Sequence, residues 1–268
     1  MNHLFRELAP ITDEAWEQID AEARRSIKHY LGARRVLDFK GPLGWASSSV
    51  ELGRIEPLNA PPAVGVEAAQ RKVLPLVEFR ASFSLSRTEL AAAERGATDL
   101  DLAAVIAASR SAALAEDAAI FHGYEAGGIS GIVPSSPHAA IAIGDDYAHY
   151  PEHVAKAVAV LREAGVAGPY AIAMGARCFT GVIETTEHGG YPVFEHLRNI
   201  LGSDVIWAPA VDGAVIVSQR GGDFEITVGE DFSIGFATAD AEAVQLYIEE
   251  SLAFQINTPE AAIHLAHG

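Results

Sequence analysis

The residues of this chain best suited to chemistry are His149, Glu152 and His153, which spell H-x-x-E-H, the inverted zinc-peptidase signature. That chemistry needs both imidazoles on one helical face so that they reach the same metal. Pro151 stands between the two histidines. Proline is tolerated in a first turn and disrupts a helix interior, so His149 is expected to precede the helix that carries His153, and the motif to be coincidental. Nucleophilic catalysis finds little more. Serines cluster at 47–49 and 135–136, yet no G-x-S-x-G elbow frames them and no His and Asp stand as obvious partners. Cys178, beside Phe179, reads as a small buried side chain. GGISG at 127–131 matches neither a phosphate loop nor a dinucleotide fingerprint. A zinc-dependent or thiol/serine hydrolase is the alternative reading. It predicts bound zinc at His149 and His153, or an inhibitor-sensitive nucleophile.

The elements that would position such residues divide the chain into parts of different character. Residues 12–31 form an amphipathic helix: Thr12 caps it, Asp13 and Glu14 favour its positive end, and Trp16, Ile19, Ala23, Ile27, Tyr30 and Leu31 recur at three- and four-residue steps. From Gly41 to Leu90 the chain reads as two β halves, VELGRIEPL and VLPLVEFRASFSLS, around the break NAPPAVGVEAAQRK. Nothing helical nearby would cover them, and a lone two-stranded ribbon is marginal in water. A protruding β-arm that pairs with a neighbouring subunit follows.

An alanine-rich helix over about 100–122, ending at Gly123, is the expected spine. An α/β unit comes next. Pro151 opens a helix through Ala164, PYAIAMG at 169–175 is a buried strand, and a helix surrounds 191–201. Short strands VIWAP, AVIVSQ, FEITVG and FSIGF then alternate with turns, RGGD at 220–223 being read as a hairpin turn. The alternation from Val244 to Ile256 favours one long strand, and PEAAIHLA ends the chain as strand or turn.

Composition narrows the partners. The chain has 268 residues and a net charge of −17, where a nucleic-acid protein needs a basic face. No run of eighteen apolar residues suggests a membrane span, and MNHLFRELAP lacks the pattern of a signal peptide. A single cysteine excludes an internal disulfide and fits a reducing cytoplasm.

Six collinear motifs, LAPITDEAW (8–16), GPLGW (41–45), LPLVEFRASFSL (74–85), GPY (168–170), SQRGGDFEITVGEDFSIGF (218–236) and FQINTPEA (254–261), resemble the encapsulins, bacterial and archaeal shell proteins formerly called linocin-type bacteriocins. The resemblance covers essentially the whole chain. It implies an α+β fold of the tailed-bacteriophage major capsid (Hong Kong) type. The peripheral domain would comprise 1–46, 91–134 and 222–250, the extended β-arm 47–90, and the apical domain 135–221 with 251–268. It also implies a non-enzymatic subunit that closes on copies of itself into an icosahedral nanocompartment. The cargo would be a dye-decolorising peroxidase, a ferritin-like protein or another iron or redox protein, bound inside by a C-terminal targeting peptide. A phage capsid that packages DNA is disfavoured by the charge.

Residue by residue, the resemblance points to a cargo-peptide site at Ile27, Tyr30, Leu31, Arg34 and Asp38, an apolar stripe ending beside an opposite-charge pair. It places the loop Glu184–Pro192 at a five-fold pore, where Glu184, Glu187 and His188 would form rings attracting cations and Gly189 and Gly190 would let the loop turn. Some family members hold flavin against an aromatic near the end of the arm. Here that region reads LSRTEL, with Arg87 and no Trp, so no cofactor is expected.

Overall fold

The computed structural model describes residues 3–187 and 189–267. In chain order the elements are α1 (Asp13–Tyr30), β1 (Asp38–Lys40), β2 (Ser49–Leu58), β3 (Ala68–Pro75), β4 (Val77–Ser86), α2 (Arg87–Glu94), α3 (Ala103–His122), α4 (Ile132–Ser135) and β5 (Ile141–Ile143). They continue with α5 (Tyr150–Glu163), β6 (Tyr170–Met174), α6 (Ala176–Glu184), α7 (Val193–Leu201), β7 (Val205–Trp207), β8 (Ala214–Ser218), β9 (Phe224–Val228), β10 (Ser233–Ala239), β11 (Ala243–Ile256) and β12 (Ala262–His267).

Two sheets and two apolar cores organise these elements. In the first sheet the fourteen-residue β11 is the axis. It pairs antiparallel with β10, with β4 from Ala243↔Ser86 to Leu252↔Val77, and with β9 from Leu252↔Val228 to Ile256↔Phe224. β1 joins β9 in parallel. The second sheet runs β5-β12-β8-β6-β7 and is packed against by α5, α6 and α7.

α1 starts where Thr12 accepts a hydrogen bond from the Ala15 amide at 3.4 Å, with Asp13 and Glu14 in the positively polarised first turn. Its stripe of Trp16, Ile19, Ala23 and Ile27 buries against α3 and the first sheet. α3 is the shared spine. Val105, Ala108, Ala112 and Ala113 belong to the first core, while Ala119, Ile120 and Phe121 belong to the second. Alanines along its length allow close approach to both.

The structure differs from the sequence reading of residues 41–90. β2 and β3 do form a separate ribbon, from Ser49↔Pro75 to Leu58↔Ala68. β4 does not belong to it: Phe83 and Leu85 turn inward to the first core, and α3 covers the strand. Period-two alternation identifies a half-buried strand without identifying its partner. The arm proper therefore spans 49–75, and Ile55, Leu58, Val64, Val66 and Val73 stay exposed on it. α2 was missed within LSRTEL, where Ser86 caps a short helix by accepting from the Thr88 amide at 3.1 Å. α6 was missed as well. β11 keeps to the first sheet as far as Ile256, past the expected boundary at 250.

RGGD is not a hairpin turn, because β8 lies in the second sheet and β9 in the first. Gly221 (φ 83°) and Gly222 (φ 80°) still need left-handed backbone, and the segment carries the chain from one sheet to the other.

Candidate functional site

A groove of about 710 Å³ opens alongside α1. Its floor is apolar: Leu4, Ala23, Ile27 and Leu31, with Phe232, Ile234 on β10 and Ile248 on β11. Its rim is charged, with Arg6, Asp20, Arg24 and Lys28 on one side and Arg34, Arg35 and Asp231 on the other. Side chains of α1 at 20, 23, 24, 27 and 28, and Leu31 just past its end, reach it because four-residue steps keep to one face.

Of the five residues expected at a peptide site, Ile27, Leu31 and Arg34 line this groove. Tyr30 does not. It lies about 60° round the helix from Ile27, on the flank away from Arg24, and its ring packs 5.6 Å from Trp207, with the Arg110 guanidinium 5.5 Å above it. Asp38 is also elsewhere, accepting from the Gly222 amide at 2.6 Å.

Arg34 is not paired with Asp38 either. Its Nη2 donates to Glu116 at 2.6 Å and to Glu250 at 3.1 Å, and its Nη1 donates to Asp231 at 2.8 Å. The rings of Phe39 and Phe232 stand 4.9 Å from the guanidinium. Arg34 thus braces the wall, with its donors committed inside the fold. Burial opposes its charge, but the bond and attraction to Glu116 outweigh that and raise its pKa further. Glu250 is fully buried. Burial first, then the adjacent Glu116, push its carboxyl well above the usual range against the pull of Arg34. Beside them, Asp117 accepts from the amides of Gly32 at 2.7 Å and Ala33 at 3.0 Å, fixing the turn after α1. Burial raises its carboxyl to about 7 despite those two bonds. Neither acid was singled out from sequence. The signal available was two adjacent acids, Glu116 and Asp117, in an alanine-rich helix, which implies a buried partner.

The second expected site is a loop closed on itself. α6 ends at Glu184, whose side chain is exposed, and Thr185 donates to the Gly181 carbonyl at 2.7 Å. The Glu187 amide donates to the Tyr191 carbonyl at 2.8 Å, and Gly189 (φ 109°) and Gly190 (φ 82°) make the turn. His188 lies outside the described residues. The Glu187 carboxylate stands 2.7 Å from Nδ1 of His196 on α7, a partner that sequence reading missed.

The residues of the hydrolase reading are dispersed. His149 precedes the Pro151 turn, with its Nδ1 2.9 Å from Asp146, while the His153 ring faces Tyr150. Cys178 is buried and accepts from the Tyr150 hydroxyl at 3.2 Å, and burial pushes its thiol up. Among the described residues, no group of three His, Cys, Asp or Glu is disposed to hold a metal, and no helix is long and apolar enough to cross a membrane.

Comparison with known proteins adds four findings. The sequence profile of the family described as an encapsulating protein for peroxidase matches residues 1–253. A type 1 encapsulin shell protein of Rhodospirillum rubrum is 50% identical over 270 residues, covering 99% of this chain and 96% of that one. In fold, the chain is similar to a virus-like particle of Pyrococcus furiosus, with TM-score 0.67 and 14% identity over 92% of this chain and 98% of that one. It is also similar to the capsid of Myoviridae phage XM1, with TM-score 0.52 and 13% identity over 86% of this chain and 90% of that one.

Proposed function

The chain belongs to the encapsulin shell-protein family, and from that membership we propose that its groove docks a C-terminal peptide of an enclosed cargo protein while the loop at 184–192 lines a pore. The protein is a structural subunit with the tailed-phage capsid fold, and copies of it assemble into a nanocompartment. The finer picture is a closed icosahedral shell of about sixty copies in its simplest form, standing in the cytoplasm. In this picture the first sheet with α1 to α3 is the peripheral part, the second sheet the apical part, and the ribbon at 49–75 reaches a neighbouring subunit. The family description names a peroxidase, and a dye-decolorising peroxidase, a ferritin-like protein or another iron or redox protein is the expected cargo, which ties the shell to oxidative stress or iron storage. Nucleic acid is an unsuitable content for a chain of net charge −17.

The observation that carries the docking assignment is a groove of about 710 Å³ beside α1, floored by Ala23, Ile27, Leu31, Ile234 and Ile248, side chains of the first core that also line it. Such a floor suits alternate side chains of a short extended segment. Pore lining is supported by the exposed Glu184 and the tight turn at Gly189 and Gly190, which would present carboxylates to passing cations.

Shells purified from the native host and analysed by mass spectrometry should contain one abundant second protein. Removing about a dozen residues from that protein's C-terminus should leave shells intact and empty. Undiminished cargo in the truncated strain would refute the docking assignment.

A further inference from the structure

The groove beside α1 has a charge pattern opposite to that of the chain around it. The whole chain carries 19 Lys and Arg against 36 Asp and Glu, whereas the groove is lined by five basic side chains and two acidic ones. Both acids are already compensated: Asp20 accepts from Arg6 at 2.8 Å, and Asp231 accepts from Arg34 at 2.8 Å. Arg34 in turn is held by Glu116 and Glu250 beneath the wall. What remains uncompensated is positive. Arg24, Lys28 and Arg35 are exposed, and none has an ion-pair partner among the described residues.

Their placement is directional. Arg24 and Lys28 lie one turn apart on the same face of α1, and Arg35 follows in the 3₁₀ turn Ala33–Arg35. Lys28 and Arg35 therefore stand at the end of the groove where α1 finishes, with Arg24 one turn back along the helix. At the other end, Arg6 and Asp20 close on each other. A purely apolar occupant would leave the three cations repelling one another across the rim. A carboxylate among them would relieve that repulsion and gain charge-assisted hydrogen bonds.

We propose that the groove takes an extended partner segment whose apolar side chains rest on Ala23, Ile27 and Ile234 while a carboxylate on that segment is held by Arg24, Lys28 and Arg35. This rests on the docking assignment above and adds the chemistry that the site selects. The carboxylate belongs either to an acidic side chain or to the C-terminus of the segment. The long flexible cations accommodate both.

The test uses complete shells, reassembled in the presence of short acetylated peptides that alternate leucine and glycine. One peptide ends in a neutral amide, one in a free carboxylate, and one in an amide with a single internal glutamate. Bound peptide per subunit is counted by mass spectrometry after gel filtration. A carboxylate peptide should half-saturate the shell at a roughly tenfold lower concentration than the neutral one, the size expected of a hydrogen bond to a charged group. Salt at about 0.5 M should narrow that gap. The triple variant R24Q/K28Q/R35Q, altered only at exposed positions, should close the gap by bringing the carboxylate peptides to the level of the neutral one. Preference for the free terminus or for the internal glutamate identifies the source of the carboxylate. Equal binding of all three peptides overturns the proposal and leaves the docking assignment standing. Binding of none overturns both.

Discussion

Asp117 sets a pH dependence that can be worked through from its surroundings. It is fully buried on α3 and accepts from the amides of Gly32 and Ala33, so it ties the end of α1 to the spine. Burial raises its carboxyl from an ordinary 3.8 to about 7. Between those values the folded chain holds a proton that the unfolded chain has released, so stability falls as pH rises from about 4 to about 7 and is level above. At about 1.4 kcal/mol per pH unit, the two units between pH 5 and pH 7 remove about 3 kcal/mol per chain.

Asp117→Asn cannot titrate, and its one carbonyl oxygen can serve only one of the two amides. Leaving the other buried amide unpaired costs about 1–3 kcal/mol at every pH. The variant should therefore unfold more readily than the parent at pH 5 and be level with it or more stable at pH 8. Urea unfolding at the two pH values measures the difference, and hydrogen exchange at Gly32 and Ala33, corrected for intrinsic rate, locates it. A stability gap of the same size at pH 5 and pH 8 would refute the assignment of the titration to Asp117.

Three further outcomes follow from the same geometry. Arg34→Leu strips the cation from buried Glu116 and Glu250 and should cost about 3–5 kcal/mol, seen as a lower urea midpoint or loss of soluble shells; a loss under about 1 kcal/mol would contradict the bracing role. Deleting residues 50–74 removes the ribbon and leaves β4 on β11, so the body should keep its circular dichroism while light scattering shows that shells no longer close. His196→Ala should speed amide exchange at Glu187 and Gly190 without shifting the melting temperature measurably, since a partly exposed polar contact contributes little to global stability.

The sequence carried a good deal of this molecule in local patterns. α1 is legible from Thr12, its two acids and a four-residue apolar stripe, and α3 from its alanines and the closing Gly123, because caps and helical period act over a few residues. The fourteen-residue β11 follows from its alternation, and six short motifs in order were enough to indicate the shell family before any coordinates.

Partners far apart in the chain were not legible. Alternation marked residues 77–86 as a strand but could not say that β11 would claim it in place of β2 and β3. Ile27 and Leu31 reached the groove as their spacing required, while Tyr30, one residue before Leu31, was drawn to Trp207, 177 residues on. Arg34 had an acid four residues away in Asp38 and found instead Glu116, Asp231 and Glu250, contributed by α3, the approach to β10 and β11 respectively. Nearby residues in sequence constrain backbone conformation, and that is what the amino-acid order determined here. Which charges neutralise one another, and which apolar faces stay open, depended on how the two sheets packed around α3, and only the tertiary structure decided it.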